Sequence, residues 1–408
     1  MIHASSILFF LVLLAIAAVC KPFSDKLRLP YPVLLVVIGF IGSEVATRLL
    51  GLDTGIHWHN LKTIILYGLL PVLIFQSALR MEPGKLRDDF YLVFVLAVPL
   101  MLLSTIIIAV LVYLGINHNG FPWIAALVTG ALLSATDPAA VITLLQRSGV
   151  STRLSLLLQG ESLFNDATAI VLFTLFVGIA SVGNIESVPW TNASIRFLSV
   201  FLGGLAAGAT LAILAGALMK ITRGQNLHGL VSVVTVYGGF IIAENVLHLS
   251  GVMAVLAVGL VFGYMDRSSS DIFERQTVEA FWDVVAGTAE ILIFLLAGIS
   301  IIPAMFTDQW YAMLTGIIAV LAARGVVIYA GLPLAGFFSA RQRLTVADRT
   351  IIYWGGVRGT VTLALALSIP LSLDYWYTIQ SIAYGVVLFT LFVQATTMPP
   401  LIRKLEKF

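Results

Sequence analysis

Ser134-Ala135-Thr136-Asp137-Pro138 interrupts an apolar run over 121–146, and Gly355-Gly356-Val357-Arg358-Gly359-Thr360 interrupts another over 350–371. Each run is long enough to cross the hydrocarbon core of a bilayer as a single helix. Neither can remain one. Pro138 lacks a backbone N–H and displaces the carbonyl four residues back, so Ser134 is left short of its partner. Three glycines weaken the second run. Each break carries a charge, Asp137 in one and Arg358 in the other. Interrupted segments at matching places in two halves of a chain point to a transport site at the membrane midplane, built from an inverted repeat. The plainer alternative is a pair of kinks, since Pro and Gly are tolerated in membrane helices. The matching positions favour transport.

Working outward, the chain has 408 residues, 59% hydrophobic and 11% charged, with mean hydropathy +1.01. A soluble domain carries about twice that charged fraction. Cys20 is the only cysteine, which excludes an internal disulfide framework and a Cys-based metal site. The first apolar run lacks a basic n-region and is read as a retained helix.

The apolar runs predict an all-α membrane protein of about 13 transmembrane helices, with helices five and twelve interrupted. The first six are 4–20, 32–50, 61–79, 90–116, 121–146 and 155–182. The rest are 195–221, 227–247, 251–264, 278–302, 310–338, 350–371 and 379–401. They divide as two six-helix inverted repeats, 1–182 and 223–408, joined by a linker helix within 183–222. Of the 23 basic residues, 18 fall in the tail or in loops after odd-numbered helices, and three (Arg48, Lys62, Arg196) in loops after even-numbered ones. Basic residues collect on the cytoplasmic side. The alternation predicts a multi-pass protein of the inner (plasma) membrane, N-terminus outside and C-terminus cytoplasmic. The chain ends soon after the last helix, so regulation by a large tail is not expected. The Asp266–Thr277 loop, with Ser268–Ser270, reads as flexible.

An ionisable group at mid-membrane needs a reason. Six qualify: Asp137, Glu161, Asp166, Glu290, Arg324 and Arg358. Helix six reads Gly160-Glu161-Ser162-Leu163-Phe164-Asn165-Asp166. Four-residue spacing sets Ser162 and Asp166 on one stripe, and Glu161 and Asn165 on the next. One stripe offers oxygens to a cation; the other can answer an arginine, which keeps its proton and needs a fixed anion. If Glu161 answers Arg324, then Asp137 and Asp166 are left without fixed partners beside the break. Carboxylate, hydroxyl and freed carbonyl oxygens suit a hard cation. A desolvated carboxyl group can trade a proton for a cation near neutral pH. Alternatively, these charges form one buried structural network. Glu44 and Arg48 read as an ordinary helix pair; Glu279 and Asp283, near the cytoplasmic end of helix ten, read as a solvated face, with an electrostatic funnel for cations as the alternative. Glu244 is assigned no role. The six histidines all fall in loops or at helix ends.

The segments 134–141 and 160–167, together with Ala243-Glu244-Asn245, Arg324-Gly325 and Gly355-Gly356-Val357-Arg358-Gly359, resemble the NhaP-type sodium/proton antiporters, relatives of the animal NHE exchangers. The resemblance covers nearly the whole chain in order. It implies a homodimer in the lipid bilayer that exchanges a monovalent cation (Na+, with Li+ or K+ as alternatives) for a proton by alternating access. A core of helices four to six and eleven to thirteen would move against a scaffold of helices one to three and eight to ten. The resemblance also places Na+ at Asp166 and Asp137, with Thr136 and Ser162 around it, and makes Glu161, Asn165 and Arg324 a structural tie. Arg358 is expected in the same network. Asn165 beside Asp166 goes with electroneutral exchange. Relatives commonly have Glu in helix three where this chain has Gln76, and many have Asn where it has Glu290. Both residues are accessory candidates, expected to face the ion path across the repeat axis. Glu290 is either a neutral hydrogen-bond donor or the replacement for the missing charge.

A cation channel is the nearest rival, but no repeated carbonyl filter of the Thr-Val-Gly-Tyr-Gly kind is present. An intramembrane serine hydrolase would need a base that Ser162 lacks, so no enzyme is expected. No Gly-x-x-x-x-Gly-Lys loop points to a pump. No cofactor and no nucleic-acid partner is expected.

Overall fold

The structure, a computed structural model, describes residues 4–27, 30–46, 58–82, 84, 89–117, 120–139, 141–142, 145, 152–182, 190–221, 228–267, 272–336 and 344–405. Among these residues there is no strand. The helices run α1 Ala4–Leu27, α2 Tyr31–Glu44, α3 58–80, α4 Phe90–Gly115, α5 Trp123–Ser134 and α6 Thr152–Val182. They continue α7 Trp190–Ile221, α8 His228–Val246, α9 Gly251–Arg267 and α10 Ile272–Ser300. Last come α11 over 310–336, α12a Val346–Trp354, α12b Thr360–Leu367 and α13 Trp376–Leu405. Eight of these are long and apolar enough to cross a membrane; α2, α5 and parts of α1 and α9 form shorter apolar helices.

Local chemistry sets the irregularities. Val98 precedes Pro99, which disfavours helical geometry there, and α4 bends at that residue (φ −119°, ψ −78°). In α3 a π turn, Ile64–Leu69, precedes Pro71. Thr345 starts α12a through a capping box: its hydroxyl accepts from Asp348 N at 3.1 Å, and Asp348 accepts from Thr345 N at 2.9 Å. Glu244 has a structural task after all. Its carboxylate accepts from Gly251 N at 2.8 Å, capping α9 after the tight turn at His248 (φ 53°).

Some expectations change. Helix one extends to Leu27. Helix two is α-helical to Glu44 and continues as a π turn at Val45 and Ala46; its expected end at residue 50 lies outside the described residues. Arg48, the Ser268–Ser270 run and the loop residues Arg28, Lys85, Arg87, Arg147, Arg223, Arg341 and Arg343 lie outside the described residues.

Without a strong hydrophobic drive between helices in lipid, small residues let backbones approach closely. A Cβ on Gly298 would strike the Val36 carbonyl, and one on Gly39 the Leu295 carbonyl, so α2 and α10 touch backbone to backbone. Helices α4, α5, α6, α11, α12b and α13 pack among themselves; α2, α3, α8, α9 and α10 form a second set, with α7 against α9. The sets meet where α10 lies against α12b, where α6 touches α3 and α9, and where α12b touches α3. A buried Ser300–Tyr384 hydrogen bond also joins α10 to α13.

Candidate functional site

The break in α5 leaves residues 135–138 non-helical, and the glycines leave 355–359 non-helical between the arms of α12. The two irregular segments meet, with Asp137 N donating to Val357 O at 2.7 Å. Backbone polar groups at membrane depth must be satisfied by protein, and here the donors are specific. The carbonyl of Ser134, which Pro138 cannot serve, accepts from Arg358 Nη1 at 2.6 Å and from Asn165 Nδ2 at 3.0 Å. Ala135 O accepts from the same Arg358 nitrogen at 2.6 Å, and Thr136 O from Ser162 Oγ at 2.7 Å.

These bonds add detail to two expected roles. Arg358 caps the end of α5 through the Ser134 and Ala135 carbonyls. Asn165 ties α6 to the α5 break, bonding Thr136 Oγ1 at 3.1 Å as well as Ser134, and does not join the Glu161–Arg324 pair. Freed carbonyls of α5 are therefore taken by protein donors. Arg324 donates to Glu161, both buried, and to Ile352 O at 3.2 Å, linking α11 to α6 and α12a.

Asp137 lies where two half-helices begin. Its Oδ1 accepts from Ala139 N at 3.2 Å, and the Thr360 N–H faces its carboxylate. Helix N-termini favour an anion there. Gly359 is required at this crossing, because a Cβ would collide with the Asp137 carboxylate. Gly359→Ala is expected to cost about 1–3 kcal/mol by overpacking and to lower exchange. Unchanged melting in detergent and an unchanged proton flux would show that the crossing can yield.

Asp166 stands one turn beyond Ser162 on α6. The Thr136 N–H faces its carboxylate, while its buried Oδ1 has no hydrogen-bond partner. A cavity of about 520 Å³ opens beside it. One wall holds Asp137, Ser162, Asp166 and Thr360; the other holds Gln76 and Arg80 of α3 with Asp283 and Glu290 of α10. Gln76 and Glu290 thus share the space that Asp137 and Asp166 line. Thr136 is buried behind it. Asp283 lines this cavity, which is the position the funnel alternative required and not the solvated face. It pairs with Arg80 and accepts from Gln76 Nε2 at 3.0 Å. Nothing in the α10 sequence signalled that contact, because it depends on which face of α3 lies opposite.

Two carboxylates at crossed, interrupted helices, open to a cavity of about 520 Å³, define a secondary ion transporter. Residues 11–404 match the family described as "Sodium/hydrogen exchanger, transmembrane", and the chain belongs to it. Its activity is exchange of sodium for protons across a membrane. The chain is 34% identical over 396 residues to the Na(+)/H(+) antiporter ApNhaP of Aphanothece halophytica, covering 97% of this chain and 73% of that one. It is 30% identical to the Na(+)/H(+) antiporter NhaH of Halobacillus aidingensis, covering 97% and 96%. Its fold matches the sodium proton antiporter MjNhaP1 of Methanocaldococcus jannaschii with TM-score 0.79 over 98% of each chain, at 21% identity.

Proposed function

We propose that the chain exchanges one Na+ for one proton by alternating access, with Asp166 as the group that carries either ion. The buried, unpartnered Asp166 Oδ1 on the cavity wall carries this reading. Ser162 Oγ and the Asp137 carboxylate supply further hard oxygens on the same wall. Sodium is favoured over Li+ and K+ because the relatives are named as Na(+)/H(+) antiporters. The set α4–α6 with α11–α13 is the moving core, and α1–α3 with α8–α10 the scaffold of a homodimer. In this arrangement thirteen crossings form two inverted repeats in the inner membrane, N-terminus outside. The Arg80–Asp283 end of the cavity then faces the cytoplasm.

Asn165, the neighbour of Asp166, is an amide whose Nδ2 donates to Ser134 O and Thr136 Oγ1 at the α5 break, and it has no proton to exchange. Electroneutral exchange follows. In proteoliposomes with a pH dye inside, Na+ is expected to dissipate an imposed pH gradient at a rate that an imposed membrane potential does not change. Steady-state current on a solid-supported membrane would refute one-for-one exchange. A gradient dissipated by K+ but not by Na+ would reassign the cation.

A further inference from the structure

We propose that Glu290 sets the cation affinity of the exchanger from the wall opposite Asp166. On α10, Asp283, Ala286, Gly287 and Glu290 all line the cavity, at the spacing that places residues on one helical face. The stripe leads from the Arg80–Asp283 pair inward. Along it, a Cβ added at Gly287 would meet nothing within 4 Å, so the stretch between Asp283 and Glu290 is open.

The carboxylates on this wall differ in their commitments. Asp283 is held by Arg80 and Gln76. Glu290 accepts no hydrogen bond from the described residues. It is close enough to Asp137 for the two charges to influence each other, and Lys21 is the cation that acts on it. A cation entering the cavity therefore passes between Glu290 on one wall and the unpartnered Asp166 Oδ1 on the other. Glu290 acts through space on the ion's occupancy and takes no part in the proton exchange at Asp166. The inference rests on the assignment of Asp166 made above.

Removing one such charge from a partly desolvated cavity is expected to raise the apparent KM for Na+ about tenfold. The maximal rate should stay within about twofold, the pattern of lost uniform binding. Glu290→Asp, which keeps the charge, should fall between. Gln76→Glu is not a rescue, because Gln76 donates to Asp283 and the change would set two carboxylates together.

The test is Na+-driven proton flux against Na+ concentration at fixed pH, in proteoliposomes holding wild type, Glu290→Gln, Glu290→Asp or Asp166→Asn. A raised KM in Glu290→Gln with partial recovery in Glu290→Asp supports the proposal. A wild-type KM in Glu290→Gln, or a loss confined to the maximal rate, overturns it. If Glu290→Gln does not fold and Glu290→Asp has the wild-type KM, Glu290 is structural and the proposal also fails. An active Asp166→Asn protein would sink the Asp166 assignment instead, whereas an inactive one beside an unaffected Glu290→Gln sinks only this inference.

Discussion

Replacing Asp166 with asparagine is expected to stop Na+-driven proton movement while leaving the protein folded. The amide keeps the size of the side chain and can still meet the Thr136 backbone, so the walls of the cavity stay in place. On the proposed assignment, what it loses is the charge that binds Na+ and the site that takes a proton. A lost transition between the two loaded states removes exchange outright, not a fraction of it. The same competition gives a pH dependence with a definite sign. Lowering the pH raises proton occupancy of the carboxylate, so more Na+ is needed for half-maximal rate. With one competing proton the apparent KM for Na+ climbs towards about tenfold per pH unit on the acid side. Flux measured over a series of pH values checks this; a KM flat with pH, or an Asp166→Asn protein that exchanges near the wild-type rate, would remove Asp166 from the ion cycle.

The local part of this site was legible in the sequence because it is written in helical spacing and in one proline. Ser162 and Asp166 share a stripe on α6, and that stripe does line the cavity. Glu161 lies on the next stripe and meets Arg324. Pro138 frees the Ser134 carbonyl, as its missing N–H requires. The sequence was silent on which group would answer that carbonyl. Arg358 and Asn165 take it, from 224 and 31 residues away respectively. A charge count leads to an ion pair for every arginine, but a guanidinium can equally spend its N–H groups on carbonyls.

The fold shows the same division. Breaks at Pro138 and at the glycines of 355–359 could be read in the sequence, because backbone chemistry alone causes them. The opposition of α3 to α10 followed only from the inverted-repeat scheme, which set Gln76 across from Glu290, and not from the spacing of either helix. It rests on direct contacts such as Phe75 of α3 against Trp282 of α10, with ring centroids 4.5 Å apart, which leave no periodic trace distinct from other apolar residues in membrane helices. That packing turns Arg80, Asp283 and Gln76 into one cluster lining the cavity. It also carries Glu290 into the same space as Asp137.

Arg324→Ala separates holding the fold together from carrying ions. In the native protein Arg324 and Glu161 neutralise each other while buried, and Arg324 also satisfies the Ile352 carbonyl at the end of α12a. Truncation to alanine leaves a buried carboxylate with no counter-charge and a carbonyl without one of its donors. Breaking a buried pair on one side typically costs about 3–5 kcal/mol. Exchange should fall because less protein is folded and because α6 and α12 are no longer braced against α11, with the Na+ preference of the surviving fraction unchanged. Adding Glu161→Gln removes the stranded charge, so the double variant is expected to melt above Arg324→Ala alone. That ordering, read from melting curves of the single and double variants, is a coupling between neighbours that independent sites would not show. If Arg324→Ala instead melts like wild type and shifts the preference between Na+ and Li+, Arg324 acts on the ion, and the brace must be sought among the other contacts of α11.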